Sequence, residues 1–473
     1  MTTPPQLDKE TYRTIIEGYF RAFETKDFSN VAFSSNIQFL SPISGKTFDG
    51  REAVVRFVSG VATRVATVNI LYTAVDFPIA AGVWQMTTTK GVTYTLHNHF
   101  RLDGEGLVYI WPMFDPKAII SQDAPEGRGL LQWLRGTGYY DVAGTTPKQL
   151  AGVTISKTGR LFVNIPRWVD KPDPSVAEIA VDGSLLPYPN SEINQWDGQP
   201  GDSARTHFVC VQSVVADEDD LWILDPAAPM FGDVVSGGPK LLRVSLTTNT
   251  VTRTYSFDQV TAPNRSYLND VRLAYGHAFI TDSGLGAIVV LNLATGQARR
   301  LLDQHASTKA EVGVEPNIGG KPWKFADGTT PQVHSDGIAI DPKREYLYYK
   351  ALTGRTLYRV PITALLDESL SAEALGDRVE RVGEPGPTDG LEFDAKGNLY
   401  LTALEENAIR VLTQDGRIQL LASAGDFLWP DTITISGQGD LLFSATQFHL
   451  MPAFNDGVDK RTPPYNILRL KLG

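Results

Sequence analysis

The stretch "GPTDGLEFDAKGNLYLTAL", residues 386–404, contains a short alternating strand, a polar turn and a second apolar strand. The stretch "HSDGIAIDPKREYLYYKAL", residues 334–352, repeats this order. Further copies begin at four other positions, Leu150, Cys210, Leu268 and Trp429. Repeats of roughly 40 to 60 residues that contain several short strands are typical of propellers. The six copies therefore predict a six-bladed β-propeller.

The predicted ring of blades needs a closing strand, because the chain ends on a third strand, "NILRLKL" at residues 466–472. Full closure leaves no long strand edge open to unwanted pairing. We expect a segment near Pro147–Gly152 to complete the last blade. The predicted propeller spans residues 146–473.

Residues 1–118 show a different pattern, in which helices come before strands. The segment "DKETYRTIIEGYFRAF", residues 8–23, places its large apolar side chains at helical spacing. The segment "TYTLHNHFRL", residues 93–102, alternates, which puts His97 and His99 on the face opposite Asn98. The order predicts an α+β domain, joined to the propeller by a linker at residues 119–145. The fold class of the whole chain is mainly β.

Charge and hydropathy limit the partners. The chain has 473 residues and a formal net charge of -11, and such an acidic protein is a poor partner for nucleic acid or an anionic membrane. The N-terminus lacks the pattern of a signal peptide, and no apolar stretch reaches the roughly 18 to 20 residues of a membrane span. We expect a cytoplasmic protein whose partner is a small molecule.

A row of polar residues emerges when the six copies are aligned on the residue five places before the end of the first strand. The aligned residues are Ala151, Gln212, Asp270, Asp336, Asp389 and Asp431. Because the innermost strands line the channel of a propeller, four carboxylates are predicted to converge there. Crowded like charges need a bound cation or shared protons. An Asp before a Gly can also simply cap a turn.

The oxygen-rich donor set favours a hard divalent cation. Ca²⁺ or Mg²⁺ is expected first, with Asp270, Asp336, Asp389 and Asp431 as ligands. His334 and Asn269, each close in sequence to one of these residues, extend the choice to Zn²⁺ or Mn²⁺.

The propeller resembles the yellow and major royal jelly protein family, including bacterial members described as related to L-dopachrome tautomerase. The resemblance is carried by stretches such as "YLNDVRLAYGHAFITDSGLGAIVVLNLATGQARRLL" and "WPDTITISGQGDLLFSATQFH". More distantly, "LND", "SDGIAID" and "TDGLEFD" look like the blade starts of gluconolactonases and regucalcin. That likeness implies metal or substrate roles for Asn269 and the four Asp residues. The chain departs from regucalcin at Ala151, where regucalcin has a glutamate ligand.

The N-terminal domain resembles the SnoaL-like cone, a curved sheet wrapped on helices around a pocket. The resemblance implies a homodimer formed through the sheet. It also makes Asn98 and Asp115 the polar groups of the pocket.

Two classes of function follow. The first is a metal-dependent enzyme of the propeller channel that hydrolyses a lactone or tautomerises a quinone-like ring. His334, Asp389 and Asp336 are its predicted catalytic residues. The substrate would contact Gln212, Asn269, Trp429, His449 and His207 and an aromatic rim of Trp168, Trp222, Trp429 and Phe448. The alternative is a carrier that binds a small molecule without catalysis.

Overall fold

The computed structural model describes residues 8–40, 47–89, 91, 93–113, 140–168, 171–423 and 427–472. The chain divides into two compact units, Met1–Tyr139 and Tyr140–Gly473. Both units are built mainly of strands.

The described part of the first unit contains two helices and a six-stranded sheet. Its elements are α1 Lys9–Thr25, β1 Phe33–Leu40, β2 Thr47–Asp49, α2 Arg51–Ala62, β3 Val65–Asp76, β4 Ile79–Thr88, β5 Thr93–Asp103 and β6 Gly106–Met113. The strand order is β2-β1-β6-β5-β4-β3, in which only β1 and β6 are parallel.

Aromatic side chains fill the interior of this unit. α1 begins after Asp8, whose side chain accepts a hydrogen bond from the backbone N–H of Thr11. The helix buries Phe20, which stacks on Trp84 at 4.9 Å between ring centroids. The alternation of β5 is confirmed, with its even-numbered residues buried. Asn98, however, is 1% exposed and accepts a hydrogen bond from the Trp84 indole inside this core. The predicted pocket group is therefore a core residue.

Asp115 and residues 119–139 of the predicted linker lie outside the described residues. The SnoaL-like resemblance and the homodimer stay predictions.

The second unit contains six four-stranded antiparallel sheets within its described residues. The first sheet contains β8 Val153–Ile155, β9 Leu161–Asn164, β10 Val176–Ile179 and β11 Leu185–Pro187. The second contains β12 Ser213–Asp217, β13 Asp220–Asp225, β14 Lys240–Ser245 and β15 Thr250–Ser256. The third contains β16 Leu268–Ala274, β17 His277–Asp282, β18 Ala287–Asn292 and β19 Ala298–Leu301.

The remaining sheets follow the same order. The fourth contains β22 Ser335–Ile340, β23 Tyr346–Ala351, β24 Leu357–Pro361 and β25 Glu380–Gly383. The fifth contains β26 Leu391–Phe393, β27 Leu399–Ala403, β28 Ala408–Leu412 and β29 Ile418–Ser423. The sixth contains β30 Pro430–Ile435, β31 Asp440–Ala445, β32 Tyr465–Lys471 and β7 Tyr140–Thr146.

Short elements lie in the connections between the sheets and, in the fourth sheet, between its third and fourth strands. They are α3 Asp202–Thr206, the hairpin of β20 Asn317–Ile318 and β21 Lys321–Pro322, α4 Ile362–Leu366 and α5 Ala372–Gly376.

The six sheets have a propeller-like arrangement. Their first strands, β8, β12, β16, β22, β26 and β30, contact one another in this order, and β30 contacts β8. The closing strand is β7, which pairs with β32 from Tyr140 to Thr146. The prediction that Pro147–Gly152 completes the last blade is therefore wrong by a few residues. Residues 140–145 of the predicted linker belong to this strand.

Helices of the described residues are too short or too polar to cross a membrane.

Candidate functional site

The first strands of the six sheets present equivalent residues at one level. In each sheet an apolar residue near the start of the first strand pairs with a residue of the second strand. The residue two places before that apolar residue lies at the shared level. The residues at the level are Ala151, Gln212, Asn269, Asp336, Asp389 and Asp431. The predicted row is thus confirmed in five sheets, but in the third sheet Asn269 takes the place expected for Asp270.

The error at Asp270 comes from a hairpin. In the third sheet β16 and β17 are joined by only two residues, Tyr275 and Gly276. The alignment counts five places back from Tyr275, although the strand ends one residue earlier, at Ala274. A shift of one residue turns a side chain to the other face of the strand. Asp270 instead occupies the position that Gly337 and Gly390 fill in the fourth and fifth sheets.

The glycines that follow the Asp residues have a steric reason. A Cβ atom on Gly337 would lie 2.1 Å from the Asp389 carbonyl oxygen, and one on Gly390 would lie 2.2 Å from that of Asp431. The Asp-Gly pairs therefore mark a close approach of neighbouring first strands rather than turns.

A cavity of about 850 Å³ opens above this level. Its floor includes Gln212, Asn269, Asp336, Asp389 and Asp431. Aromatic side chains form its walls: Trp168, Phe231, Tyr267, Trp323, Phe325, Trp429, Phe448 and Phe454. An apolar cavity with a few polar groups at one end is the usual form of a small-molecule site.

The aromatic walls pack against one another. Trp168 stacks on Phe231 at 5.6 Å, and Trp429 contacts Phe448 at 5.0 Å between ring centroids. Trp429 has a φ of 58°, a left-handed conformation that is rare for a bulky side chain. Such outliers persist where the surroundings impose them, often at functional sites. Here the conformation places the Trp429 indole N–H 2.8 Å from Asp389 Oδ2.

The carboxyl groups of the floor affect one another's ionisation. Burial, the nearby Asp389 and Asp431 and the hydrogen bond with Asp389 hold the pKa of Asp336 well above its usual range. Burial raises the pKa of Asp389 to about 6, while the hydrogen bonds from Trp429 and Asp336 lower it. Burial and the nearby Asp389 also raise the pKa of Asp431 strongly. Burial and proximity therefore disfavour ionisation of both carboxyl groups at once, and the pKa of Asp336 is the more strongly raised of the two.

The other half of the floor is uncharged. Tyr267 receives a hydrogen bond from the Trp168 indole at 2.8 Å and donates one to Gln212 at 2.9 Å. Asn269 donates to the Ser283 hydroxyl at 2.9 Å. This chain of hydrogen bonds fixes the orientation of both amides. The floor thus has an acidic half and a neutral half.

Several predicted residues lie elsewhere. His334 does not line the cavity, and its Nδ1 accepts a hydrogen bond from the Ala310 N–H at 2.9 Å. Burial lowers the pKa of His334. His207 follows α3, where its Nδ1 contacts the Ser203 carbonyl oxygen at 2.9 Å. Trp222 stacks on Tyr255 between sheets rather than at the rim.

His449 lies behind the wall of the cavity. Its ring stacks on Trp429 at 5.9 Å, and burial lowers its pKa to about 4. The ring is 5% exposed, and its Nδ1 has no hydrogen-bond partner in the described structure. It supports Trp429 from outside and does not line the cavity.

Sequence reasoning missed two buried cations near the floor. The Arg272 guanidinium lies 2.8 Å from Asp270 Oδ2 and 2.9 Å from the Leu391 carbonyl oxygen. Lys350 is fully buried and donates to the carbonyl oxygens of Ala351 and Gly354, and burial lowers its pKa to about 7. Arg272 could have been found from its spacing, two residues after Asp270 on the same strand.

The donor set at the floor suits a hard cation, but its arrangement does not. No three His, Cys, Asp or Glu side chains of the described residues are grouped as metal ligands would be. Asp389 accepts a hydrogen bond from the Trp429 indole, and Asp270 is paired with Arg272. These residues therefore do not fit the predicted divalent ion as they are placed here.

Two family models match the chain. The model described as "Major royal jelly protein" matches residues 209–451, just over half of the chain. The chain belongs to the major royal jelly protein family. The sequence-based resemblance is confirmed over these residues. Residues 7–139 match a domain of unknown function, DUF4904.

Solved structures show a looser likeness to this major royal jelly protein family member. Regucalcin from Agrobacterium tumefaciens, a calcium-binding protein, is 16% identical with a TM-score of 0.42, and the alignment covers 70% of this chain and 95% of that one. A gluconolactonase from Xanthomonas campestris is 12% identical with a TM-score of 0.42, over 72% and 91% of the two chains. These values are too low to support an inference about activity. No curated protein sequence shows significant similarity to the chain.

Proposed function

We propose that the second unit is a six-bladed β-propeller enzyme that binds a ring-containing metabolite in its aromatic cavity and moves a proton on the bound ring. The observations that carry the proposal are the convergence of Asp336 and Asp389 at the cavity floor and the hydrogen bond that the Trp429 indole donates to Asp389. The reaction class is a tautomerisation or isomerisation.

The walls support a flat, ring-shaped ligand. The volume of about 850 Å³ lies within the range of roughly 300 to 1,000 Å³ that is common for small-molecule sites. Aromatic side chains favour stacked or edge-on contacts with a ring. Trp429 and Phe448 would contact the ring on the acidic side, and Phe231 on the neutral side.

The floor carboxyl groups have different pKa values, as an acid and a base working together require. Asp336 has the higher pKa and holds the shared proton, whereas the Trp429 N–H favours ionised Asp389. Asp389 would accept a proton from one atom of the ring, and Asp336 would donate its proton to another atom. The product is a tautomer of the substrate. The proton on Asp389 then returns to Asp336 through their hydrogen bond, which restores the starting state.

The neutral half of the floor would orient the substrate. Gln212 and Asn269 are held by Tyr267 and Ser283, so that their amides meet the ligand in fixed directions. A fixed amide binds a ring oxygen or nitrogen at little entropic cost.

Incubation of the purified chain in D₂O with a panel of quinone-type and lactone compounds tests the proposal. Tautomerisation incorporates solvent deuterium into the ring, which NMR detects. This incorporation should be lost in Asp389→Asn. Binding without deuterium incorporation or turnover would instead identify a carrier.

Metal-dependent lactone hydrolysis is the second candidate. The observation in its favour is the convergence of three carboxylates and the Asn269 amide, which are oxygen donors of the kind that Ca²⁺ and Mg²⁺ prefer. Zn²⁺ and Mn²⁺ are the other candidate ions. Lactone turnover that disappears with a chelator and returns with one cation would favour this candidate over proton transfer.

A further inference from the structure

The first strands carry a charged pair one level below the cavity floor. The residues at this deeper level are Thr154, Val215, Arg272, Ala339, Glu392 and Thr434, each three places after the floor residue of its sheet. Only the third and fifth sheets place a charge there. One contributes a cation and the other an anion.

Arg272 joins these two sheets, although the fourth sheet lies between them in the order of contacts. Its Nη1 donates to Asp270 Oδ2 at 2.8 Å and to the Val271 carbonyl oxygen at 2.9 Å. Its Nη2 donates to the Leu391 carbonyl oxygen at 2.9 Å and lies 3.6 Å from Glu392 Oε2. The Arg272 side chain is 10% exposed.

Neighbouring sheets use the same kind of pairing elsewhere. Lys240 lies 2.9 Å from Asp225 in the second sheet, and Arg300 lies 2.6 Å from Asp282 in the third. In both pairs the carboxylate is fully buried. In these two pairs, as at Asp270, a buried carboxylate is paired with a cation of the chain itself.

We infer that Arg272 is the resident cation of the channel, a positioning residue that supplies the positive charge which the sequence motif assigns to a divalent metal ion. Arginine stays protonated at all physiological pH values, so this charge is permanent. It holds Asp270 in place at 2.8 Å and lies 3.6 Å from Glu392. The floor above it is left to share a proton rather than to bind a metal ion.

The inference goes beyond the proposed reaction, because it concerns the charge below the floor and holds for an enzyme or a carrier. Its test uses stability as the readout. Failure of the inference is therefore distinguishable from failure of the proposed function, which is read from turnover.

The test compares thermal unfolding of the full chain after chelator treatment, with and without Ca²⁺, Mg²⁺, Mn²⁺ or Zn²⁺. The unfolding midpoint of the wild type should not change with any cation. Arg272→Met should lower the midpoint by about 5–10 °C, because it leaves a buried carboxylate unpaired. The matched control, Arg243→Met, removes an arginine whose ion pair with Asp220 is half exposed and should change the midpoint by about 2 °C or less.

A second variant separates the pair from a general packing effect. Asp270→Asn combined with Arg272→Met removes the closer carboxylate together with its cation, leaving only Glu392 without a cation, and should recover at least half of the loss seen in Arg272→Met. If Arg272→Met does not fold, recovery of a folded protein in the double variant makes the same point.

Two results would overturn the inference. One is a saturable rise of the wild-type midpoint with a divalent cation that Asp270→Asn abolishes. The other is an Arg272→Met protein as stable as the wild type, or a double variant that recovers nothing.

Discussion

Replacing Asp389 by Asn should stabilise the protein at neutral pH, although it removes a proposed catalytic residue. The Asn side chain has the same shape and keeps an oxygen that can accept the hydrogen bond from the Trp429 indole. It removes only the charge that the wild type must hold close to Asp336 and Asp431. The prediction is thus a direct consequence of crowded carboxyl groups without a metal ion.

The magnitude follows from the pKa of Asp389, which rises from 3.8 to about 6 on folding. A raised folded-state pKa means that protonation favours the folded state. This contribution is fully present below about pH 4 and is lost as the pH rises through about 6. A shift of about two units corresponds to at most about 3 kcal/mol at neutral pH. Because Asp389 is partly exposed to the cavity, we expect about 1–2 kcal/mol, or an unfolding midpoint higher by roughly 2–6 °C.

The assay is thermal unfolding of wild type and Asp389→Asn between about pH 4 and pH 8. The stabilisation by Asn should be largest above about pH 6 and should vanish near pH 4. Asp270→Asn is the control, since it removes the partner of buried Arg272 and should destabilise at every pH. An Asp389→Asn protein that is less stable than the wild type at neutral pH would contradict this prediction, because it would show that the carboxylate stabilises the folded state, as a metal ligand does.

Three further predictions concern turnover and domain structure. Trp429→Phe keeps the ring but removes the hydrogen bond that favours ionised Asp389, so the acidic limb of the pH–rate profile should move up by about one pH unit; an unchanged profile would contradict this role. His334→Gln should change turnover by less than about threefold, since His334 does not line the cavity, and a hundredfold loss would restore the catalytic role predicted from sequence. Residues 140–473 produced alone should fold and be monomeric, whereas gel filtration of the full chain should show a homodimer; an insoluble fragment would contradict the proposed division.

The repeat pattern was sufficient to predict the sheets and most of the floor. Strand, turn and strand recur with an Asp-Gly pair, and the close approach at Gly337 and Gly390 explains why the pattern is so regular. The position of Asp270 could not be predicted, because the pattern does not show that its hairpin is two residues long. The pairing register depends on both strands of a hairpin. It can be read from the sequence of one strand only when the length of the connecting turn is known.

The walls of the cavity were only partly predictable. The repeat predicts Trp168, Trp429 and Phe448, which lie just before or after its strands, whereas Trp323 and Phe454 lie in longer connecting segments. Whether they contact the site depends on the path that these long connecting segments take over the sheets.

The histidines show a different limit. Nearness to strand ends predicted a role in the site for His334, His449 and His207. Proximity in sequence to a floor residue, however, does not set the direction of a side chain. The buried cations near the floor could not be predicted for a related reason. The aligned repeats show the acidic residues of the floor. Nothing in the strand sequences shows that Arg272 and Lys350 are buried close to them, because their contacts depend on how the strands and sheets pack.

In the mechanism we propose, Asp336 and Asp389 share a proton at the floor of the cavity, and no metal ion is bound there. Infrared difference spectroscopy of the protonated carboxyl stretch, with carbon-13-labelled aspartate, measures this proton directly. We predict a band at neutral pH that is lost in Asp336→Asn, shifts in Asp389→Asn and does not change with Ca²⁺ or with a chelator. Absence of the band at neutral pH, or its loss when a divalent cation is added, would contradict the claim.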